Sequence, residues 1–277
     1  MKTVTLKSGE TVPALGIGTW KMGVGDRDEA EQLRALQAGI DLGMTLIDTA
    51  EMYGEGRSEQ LVAQATKGRR GEVFIVSKVL PSNASRNGTL QACEASLRRL
   101  GTDVIDLYLL HWRGSYPLSD TFAAFEQLKA EGKIRHYGVS NFDVADMAEM
   151  QRLNPSVACS ANQVMYNAAD RGIEFDLFPR CLNDRIAIMA YCPLGEGRLL
   201  NHPVLVNIAR RHGVGTAAVA LAFTLRLPGV ISIPKSARTQ RVIENATAAS
   251  LALTPQDLSE IDAAFPPPRR KQPLAIT

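Results

Sequence analysis

The sequence predicts an α/β protein, a (β/α)8 TIM barrel with an N-terminal β-hairpin and extra C-terminal helices. Eight short runs of apolar or β-branched residues alternate with longer amphipathic segments along the 277 residues. Several of the short runs are apolar almost throughout, which is typical of parallel strands buried on both faces. No break in composition divides the chain, so we expect one barrel domain over residues 1–277.

The elements alternate regularly after a predicted hairpin in residues 2–13. The expected strands are 14–19, 45–48, 73–78, 104–111, 134–140, 158–164, 186–191 and 230–234. The expected helices are 28–43, 58–66, 87–100, 120–131, 144–153, 174–183, 203–212, 216–227, 239–249 and 253–265. Asp28 or Asp26 is the predicted N-cap of the first helix, and Gly43 is the residue expected to end it. Right-handed crossovers between parallel strands close such a series into a barrel.

A doubly wound open sheet is the alternative architecture for alternating strands and helices. Such a sheet usually carries a glycine-rich phosphate fingerprint after its first strand. The run Gly16-Ile17-Gly18-Thr19-Trp20-Lys21 begins like that fingerprint but has Lys21 in place of the third glycine. The sequence therefore favours the barrel.

Composition and charge exclude several classes of protein. With 45% apolar and 22% charged residues the chain is globular rather than disordered or fibrous. The 31 Lys and Arg residues nearly balance 29 Asp and Glu residues, so no broad nucleic-acid surface is predicted. No stretch approaches the roughly 20 apolar residues of a membrane helix. The first ten residues lack the apolar core of a signal peptide, which favours a cytoplasmic protein.

The cysteines and the basic tail carry no predicted site. Cys93, Cys159, Cys181 and Cys192 have no C-x-x-C spacing and are expected to be reduced thiols, with no metal bound. The basic residues at 269–271 are expected to be part of a solvated tail.

Polar or aromatic residues end every predicted strand. They are Trp20, Asp48, Lys78, His111, Asn141, Gln163, Tyr191 and Lys235. Because the carboxyl ends of barrel strands share one face, we expect these side chains to surround one mouth. A single polar strand end is common by chance, whereas a complete ring indicates a functional site.

Asp48, Tyr53, Lys78 and His111 form the predicted catalytic set. Tyrosine, with a pKa near 10, is a poor acid at neutral pH, and a neighbouring Lys78 ammonium is expected to lower that pKa. Asp48 would keep Lys78 charged, while His111 would orient a substrate oxygen. The set suits proton donation during carbonyl reduction, whose hydride must come from a cofactor. Taken singly, these residues are explained as a strand-end ion pair, a core histidine and a loop aromatic.

Sequence motifs spread over the chain point to one known family. They are Gly16-Ile17-Gly18-Thr19-Trp20, Leu46-Ile47-Asp48-Thr49-Ala50, Tyr53-Gly54, Ser77-Lys78, Asp106-Leu107-Tyr108-Leu109-Leu110-His111-Trp112, Gly138-Val139-Ser140-Asn141-Phe142, Asn162-Gln163-Val164, Tyr191-Cys192-Pro193-Leu194-Gly195 and Ile233-Pro234-Lys235-Ser236. With these motifs the chain resembles the aldo-keto reductases from residue 3 to about residue 265. The resemblance implies a monomeric or loosely associated NADPH-dependent reductase of aldehydes and ketones.

The resemblance also assigns the cofactor contacts. It places the nicotinamide ring on Tyr191 and its carboxamide against Ser140, Asn141 and Gln163. The other implied contacts are Gly18, Thr19, Trp20, Asp48, Pro193, Leu194 and Gly195, with Lys235, Ser236, Arg241, Glu244 and Asn245 at the adenosine end. Two cations, Lys235 and Arg241, suit a 2′-phosphate and predict NADPH over NADH. A solvated helix pair between Arg241 and Glu244 is the alternative.

The expected substrate pocket is lined by Trp20, Met52, His111 and Trp112. The loop after His111 and the tail after Phe265 are short, so we expect an open pocket with broad specificity. Lys21 at the rim either attracts acidic substrates or is simply solvated. Cys192 stands where many members of the family have serine, which is a stronger hydrogen-bond donor. It is either an inert thiol or a site of oxidation.

The expected substrate is a small aldehyde, such as the 2-oxoaldehyde methylglyoxal, or a diketo sugar acid. A cofactor-sensing regulatory module on the same fold, with little turnover, is the first alternative. A barrel enzyme of different chemistry, such as a phosphate-sugar isomerase, is the second. That enzyme would need a carboxylate base facing the pocket, and fold alone does not distinguish these functions.

Overall fold

The computed structural model describes residues 1–24, 28–153 and 158–277. The chain begins with an antiparallel hairpin of β1 (Thr3–Thr5) and β2 (Thr11–Pro13), in which Val4 pairs with Val12. Gly9 makes the turn with a φ of +91°, a conformation that favours glycine. The hairpin predicted in residues 2–13 is confirmed.

Eight further strands form one parallel sheet in chain order. They are β3 (Ile17–Gly18), β4 (Leu46–Asp48), β5 (Phe74–Val79), β6 (Ile105–Leu110), β7 (Ile134–Ser140), β8 (Cys159–Met165), β9 (Ala187–Tyr191) and β10 (Val230–Ser232). Parallel bridges from Leu15 to Ser232 and from Gly18 to Lys235 join the first strand to the last. The sheet is therefore closed, and the predicted barrel is confirmed over the open sheet.

Ten α-helices accompany these strands in the described part of the chain. They are α1 (Glu29–Asp41), α2 (Arg57–Ala65), α3 (Arg86–Leu100), α4 (Leu118–Ala130), α5 (Val144–Leu153), α6 (Leu177–Asn183), α7 (Pro203–His212), α8 (Thr216–Thr224), α9 (Thr239–Ala246) and α10 (Pro255–Ala264). Asp28 caps α1, since its side chain accepts from the Glu31 amide at 3.1 Å. The other candidate cap, Asp26, lies outside the described residues. None of these helices is long and apolar enough to cross a membrane.

The predicted start of the sixth helix at Glu174 is wrong. Residues Gly172–Glu174 form a 3₁₀ turn, and α6 begins at Leu177. Pro179 explains the late start, because proline lacks an amide hydrogen and is tolerated only in the first turn of a helix. Glu174 instead pairs with Arg171 and Arg226, each at 2.8 Å.

Two apolar layers pack against the two faces of the barrel sheet. Outside the sheet, the rings of Tyr108 and Tyr137 pack on Phe125 of α4, with centroid distances of 5.7 and 5.4 Å. Inside the barrel, buried aliphatic side chains such as Val76 and Leu107 fill the centre. Dense packing on both faces fixes the carboxyl ends of the strands, from which the loops around the mouth of the barrel start.

Candidate active site

A cleft of about 790 Å³ opens where the strands of the barrel end. Seven of the eight predicted strand-end residues line it: Trp20, Asp48, His111, Asn141, Gln163, Tyr191 and Lys235. Lys78 lies behind the wall and is fully buried, but its side chain reaches the Tyr53 hydroxyl, and Tyr53 also lines the cleft. The predicted gathering of these side chains at one mouth is confirmed.

The Lys78 ammonium has three neighbours that use its three hydrogen atoms. Its Nζ lies 2.8 Å from the Asp48 carboxylate, 2.8 Å from the carbonyl oxygen of Thr49 and 3.3 Å from the Tyr53 hydroxyl. Burial lowers the pKa of Lys78, while the charge of Asp48 acts in the opposite direction. The result is a buried and fully hydrogen-bonded ion pair placed directly behind a phenol.

The pKa of Tyr53 departs from the sequence prediction. Burial raises this pKa well above its usual value of 10, and the charge of Asp48 raises it further. The expectation that Lys78 lowers the pKa of Tyr53 is wrong. Asp48 offsets the charge of the lysine, and a buried phenolate would lose its hydration. Tyr53 is therefore held in its protonated form, which is the form that a proton donor needs.

His111 stands edge-on to Tyr53 across the cleft. Their ring centroids are 5.8 Å apart, with an angle of 71° between the ring planes. Burial lowers the pKa of His111 to about 2, and the positive charge of Lys78 contributes. The imidazole is therefore neutral, with one N–H to donate, and its Nδ1 is buried without a hydrogen-bond partner among the described residues.

A group of amide and hydroxyl side chains lies beside these residues. The Tyr191 hydroxyl donates to Asn141 Oδ1 at 2.9 Å, and Ser140 Oγ donates to the Gln163 carbonyl oxygen at 2.9 Å. The Gln163 amide donates to Asp48 at 2.7 Å, which joins this group to the Lys78 ion pair. Asn141 has a φ of +57°, so the chain turns sharply at the end of β7 and brings its amide into the cleft.

The predicted adenosine contacts line the same cleft after β10. They are Lys235, Ser236, Arg241, Glu244 and Asn245. Glu244 accepts from Gln240 at 3.3 Å, and no ion pair between Arg241 and Glu244 occurs among the described residues. The helix-pair alternative is therefore not seen, and two cationic side chains are presented near the start of α9.

Two of the expected cofactor residues lie behind the wall of the cleft. Thr19 is fully buried, and its hydroxyl donates to the Asp48 carbonyl oxygen at 2.9 Å while accepting from Ser58 at 2.8 Å. Thr19 therefore fixes the end of β4. Gly195 is also buried and is not among the described residues that line the cleft; its φ of +55° closes the turn after β9. Gly18, Pro193 and Leu194 do line it.

The structure adds cleft residues that the sequence did not predict. They include Arg113, Glu196, Leu200, Ala217, Ile276 and Thr277. Ile276 and Thr277 show that the tail after Phe265, although short, returns to the cleft and contributes to its lining. The tail is fixed by Lys271, which contacts Asp143 and, at 3.0 Å, Asp176. Arg113 and the tail lie in irregular segments, which have no periodic pattern that sequence reasoning could use.

The rim is partly apolar and its charges are paired. Met52 and Trp112 are 42% and 39% exposed, as expected for the walls of a pocket. Lys21 lies 3.9 Å from the centre of the Trp20 ring and 3.8 Å from Glu196. Lys21 is thus neither simply solvated nor isolated at the rim.

The Cys192 thiol is free and lies in the wall of the cleft. Burial raises its pKa to about 11, so the thiol is neutral near pH 7. The part of the chain that the structure describes holds no group of three or more His, Cys, Asp or Glu side chains arranged for a metal ion.

Comparison with known proteins agrees with this geometry. Residues 14–265 match the Aldo/keto reductase family. The chain is 46% identical to methylglyoxal reductase YeaE of Escherichia coli K12, over 99% of this chain and 98% of that protein. It is 36% identical to the glyoxal reductase of Bacillus subtilis 168, over 94% and 92% of the two chains. The chain belongs to the aldo/keto reductase family.

Solved structures of aldo-keto reductases also superpose on this chain. An aldo-keto reductase from Klebsiella pneumoniae, crystallised in complex with NADPH, superposes with a TM-score of 0.97 at 46% identity. The match covers 100% of this chain and 99% of that one. A putative 2,5-diketo-D-gluconic acid reductase B superposes with a TM-score of 0.87 at 31% identity, over 100% and 96% of the two chains.

Proposed function

We propose that this protein is an NADPH-dependent reductase that converts small aldehydes, 2-oxoaldehydes above all, into alcohols. The observation that carries the proposal is the Tyr53 hydroxyl, which faces the cleft 3.3 Å from the buried Lys78 ammonium. The names of the methylglyoxal and glyoxal reductases support the substrate class, and the NADPH complex from Klebsiella supports the cofactor.

The residues of the cleft fit a dinucleotide. The volume of the cleft, about 790 Å³, lies within the range of small-molecule sites. The Tyr191 ring offers an apolar face, and the amides of Asn141 and Gln163 can match both the donor and the acceptor of a carboxamide. Lys235 and Arg241 offer positive charge for phosphate groups, with arginine suited to bidentate binding. When bound, NADPH supplies the hydride that no side chain can donate.

Tyr53 delivers the proton in this proposal. Burial keeps its hydroxyl protonated in the resting enzyme. As negative charge develops on the substrate oxygen, the phenol gives up its proton, and the Lys78 ammonium stabilises the phenolate that remains. Asp48 keeps Lys78 protonated despite its burial.

His111 orients the carbonyl group. Because its imidazole is neutral, the ring donates one hydrogen bond and adds no charge to the site. Its Nδ1 is buried, so Nε2 is the nitrogen that we assign to the substrate oxygen. Two donors, from Tyr53 and His111, then converge on one oxygen and hold the carbonyl in a fixed orientation.

The test follows oxidation of NADPH or NADH with a panel of carbonyl compounds. The panel contains methylglyoxal, glyoxal and an acidic diketo sugar. We expect NADPH to be preferred, and Arg241→Ala should weaken NADPH binding while leaving NADH binding unchanged. Equal rates with the two cofactors would contradict the roles of Lys235 and Arg241. Tight NADPH binding without turnover of any carbonyl would favour the regulatory alternative.

A further inference from the structure

The loop between β6 and α4 forms one wall of the substrate end of the cleft. We define it as the Trp112 loop, residues 112–117. The Trp112 ring packs on the His111 imidazole, with 5.0 Å between the ring centroids and 55° between the planes. The position of this loop therefore sets the space beside the nitrogen that we assign to the substrate carbonyl.

The Trp112 loop has little support from its own backbone. Within the described chain, residues 112–116 make no backbone-to-backbone hydrogen bond. One side of the loop rests on Pro81, since a Cβ added at Gly114 would lie 2.5 Å from the Pro81 Cβ. Such a loop needs side-chain contacts to keep a single conformation.

Arg113 supplies those contacts in two directions. Its Nη1 donates to the carbonyl oxygens of Gly114 and, at 3.0 Å, Tyr116, so the side chain closes the loop on itself. Its Nη2 and Nε face the Glu149 carboxylate, at 3.1 and 3.4 Å. This two-point geometry requires the planar guanidinium and is not available to lysine.

Glu149 joins the loop to the neighbouring barrel unit. It lies on α5, the helix that follows β7, and β7 ends at Ser140, next to Asn141, in the region that we assign to the cofactor. Arg113 and Glu149 are 27% and 36% exposed, so the pair is partly shielded from solvent. Although Arg113 lines the cleft, its donors are directed to Glu149 and to loop carbonyls.

We propose that Arg113 and Glu149 are positioning residues that hold the Trp112 loop against His111 and so determine which carbonyl substrates fit. This inference rests on the proposed function for its kinetic consequence. Loss of the pair frees the loop, and substrate binding weakens while the chemical step, which depends on Tyr53 and Lys78, is unaffected. Arg113 is not a direct ligand of an anionic substrate in this arrangement.

The test compares Arg113→Ala, Arg113→Lys and Glu149→Gln with an Arg69→Ala control. Arg69 makes a similar pair with Glu72, at 2.8 Å, and is 30% exposed before β5 at the opposite end of the barrel. We expect KM for methylglyoxal to rise about fivefold in all three loop variants, with kcat and NADPH affinity unchanged. The Arg113→Ala/Glu149→Gln double variant should be no worse than Arg113→Ala alone, because Glu149 acts on the loop through Arg113. The control should match the wild type.

A second readout does not depend on turnover. Trp20 and Trp112 are the two tryptophans of the chain. In a Trp20→Phe background, acrylamide quenching of Trp112 should increase with Glu149→Gln and stay constant with Arg69→Ala. Unchanged KM and unchanged quenching in Glu149→Gln would overturn the inference. If the wild type reduces no carbonyl, the proposed function fails, and quenching still decides whether the pair positions the loop.

Discussion

The Tyr53 hydroxyl lies 3.3 Å from a Lys78 ammonium that also contacts Asp48 at 2.8 Å. Because the carboxylate offsets the lysine charge, Lys78 does not overcome the effect of burial on the phenol, whose pKa is raised. The ammonium becomes useful when negative charge appears on the tyrosine oxygen, that is, as the proton leaves. An arrangement of this kind stabilises the transition state while the Tyr53 hydroxyl stays protonated in the resting enzyme.

Removing the Tyr53 hydroxyl should separate chemistry from binding. In Tyr53→Phe the ring that lines the cleft remains, but the hydroxyl that donates the proton is lost. We expect kcat to fall by about 10² to 10⁴ and NADPH affinity to stay close to that of the wild type. Steady-state NADPH oxidation and a fluorescence titration with NADPH measure the two effects. A variant with the wild-type rate would show that another group donates the proton.

Breaking the buried ion pair should destabilise the barrel strongly. Asp48→Asn leaves a buried ammonium without its counter-charge, which costs about 3–5 kcal/mol of unfolding free energy. Adding Lys78→Met removes that charge, so the double variant should be more stable than Asp48→Asn alone. Urea denaturation of the single and double variants measures this coupling. Additive losses would contradict a direct interaction between the two side chains.

The stability of Asp48→Asn should also depend on pH. Burial lowers the pKa of Lys78 in the folded protein, and loss of Asp48 removes the main opposing cause. The unfolded chain then holds the lysine proton at pH values where the folded protein has lost it, so stability rises with pH up to about 10.4. The Asp48→Asn/Lys78→Met variant should lack this rise when both are compared by urea denaturation at several pH values.

The eight strands and the strand-end ring were predictable because they follow from local pattern. A parallel strand buried on both faces is apolar almost throughout, and polar residues stand where it ends. The start of α6 was wrong because the amphipathic pattern of residues 174–183 was given more weight than Pro179, which restricts where the helix begins. The sequence pattern therefore predicts that a helix or strand exists more reliably than it predicts the residues at which that element begins and ends.

Other parts of the site depend on contacts that sequence patterns do not contain. Lys271 meets Asp143 across 128 positions of the chain, and Arg113 meets Glu149 across 36. Both cations lie in irregular segments, where no period constrains the side-chain direction. The pKa of Tyr53 was mispredicted for a related reason, since burial depends on the whole fold whereas the Lys78 neighbour could be inferred from strand order.

Acidification should destabilise the protein through His111. Its pKa falls from 6.5 in the unfolded chain to about 2 in the folded protein, so below pH 6.5 the unfolded state binds the extra proton. Stability is therefore lost as the pH decreases, by up to about 2 kcal/mol between pH 7 and pH 5. In His111→Gln this contribution is absent. Urea denaturation of both proteins at these two pH values measures the difference, and equal losses would show that His111 does not contribute.

The contacts of Lys271 should hold the tail at the cleft without adding much to global stability. The side chain is 42% exposed and lies against Asp143 and Asp176, so Lys271→Ala should cost less than about 1 kcal/mol of unfolding free energy. The tail beyond Phe265 starts from a fixed point, because Arg171 donates to the Phe265 carbonyl oxygen at 2.7 Å. The effect should therefore be confined to the residues that follow.

Hydrogen exchange tests this expectation directly. Backbone amides of residues 272–277 should exchange faster in Lys271→Ala, while those of the barrel strands keep their wild-type rates. Lys133→Ala is the matched control, since Lys133 also contacts two carboxylates, Glu94 at 2.7 Å and Glu131 at 2.9 Å, in a region away from the cleft. If the amides of residues 272–277 exchange faster in both variants, or in neither, Lys271 does not anchor the tail.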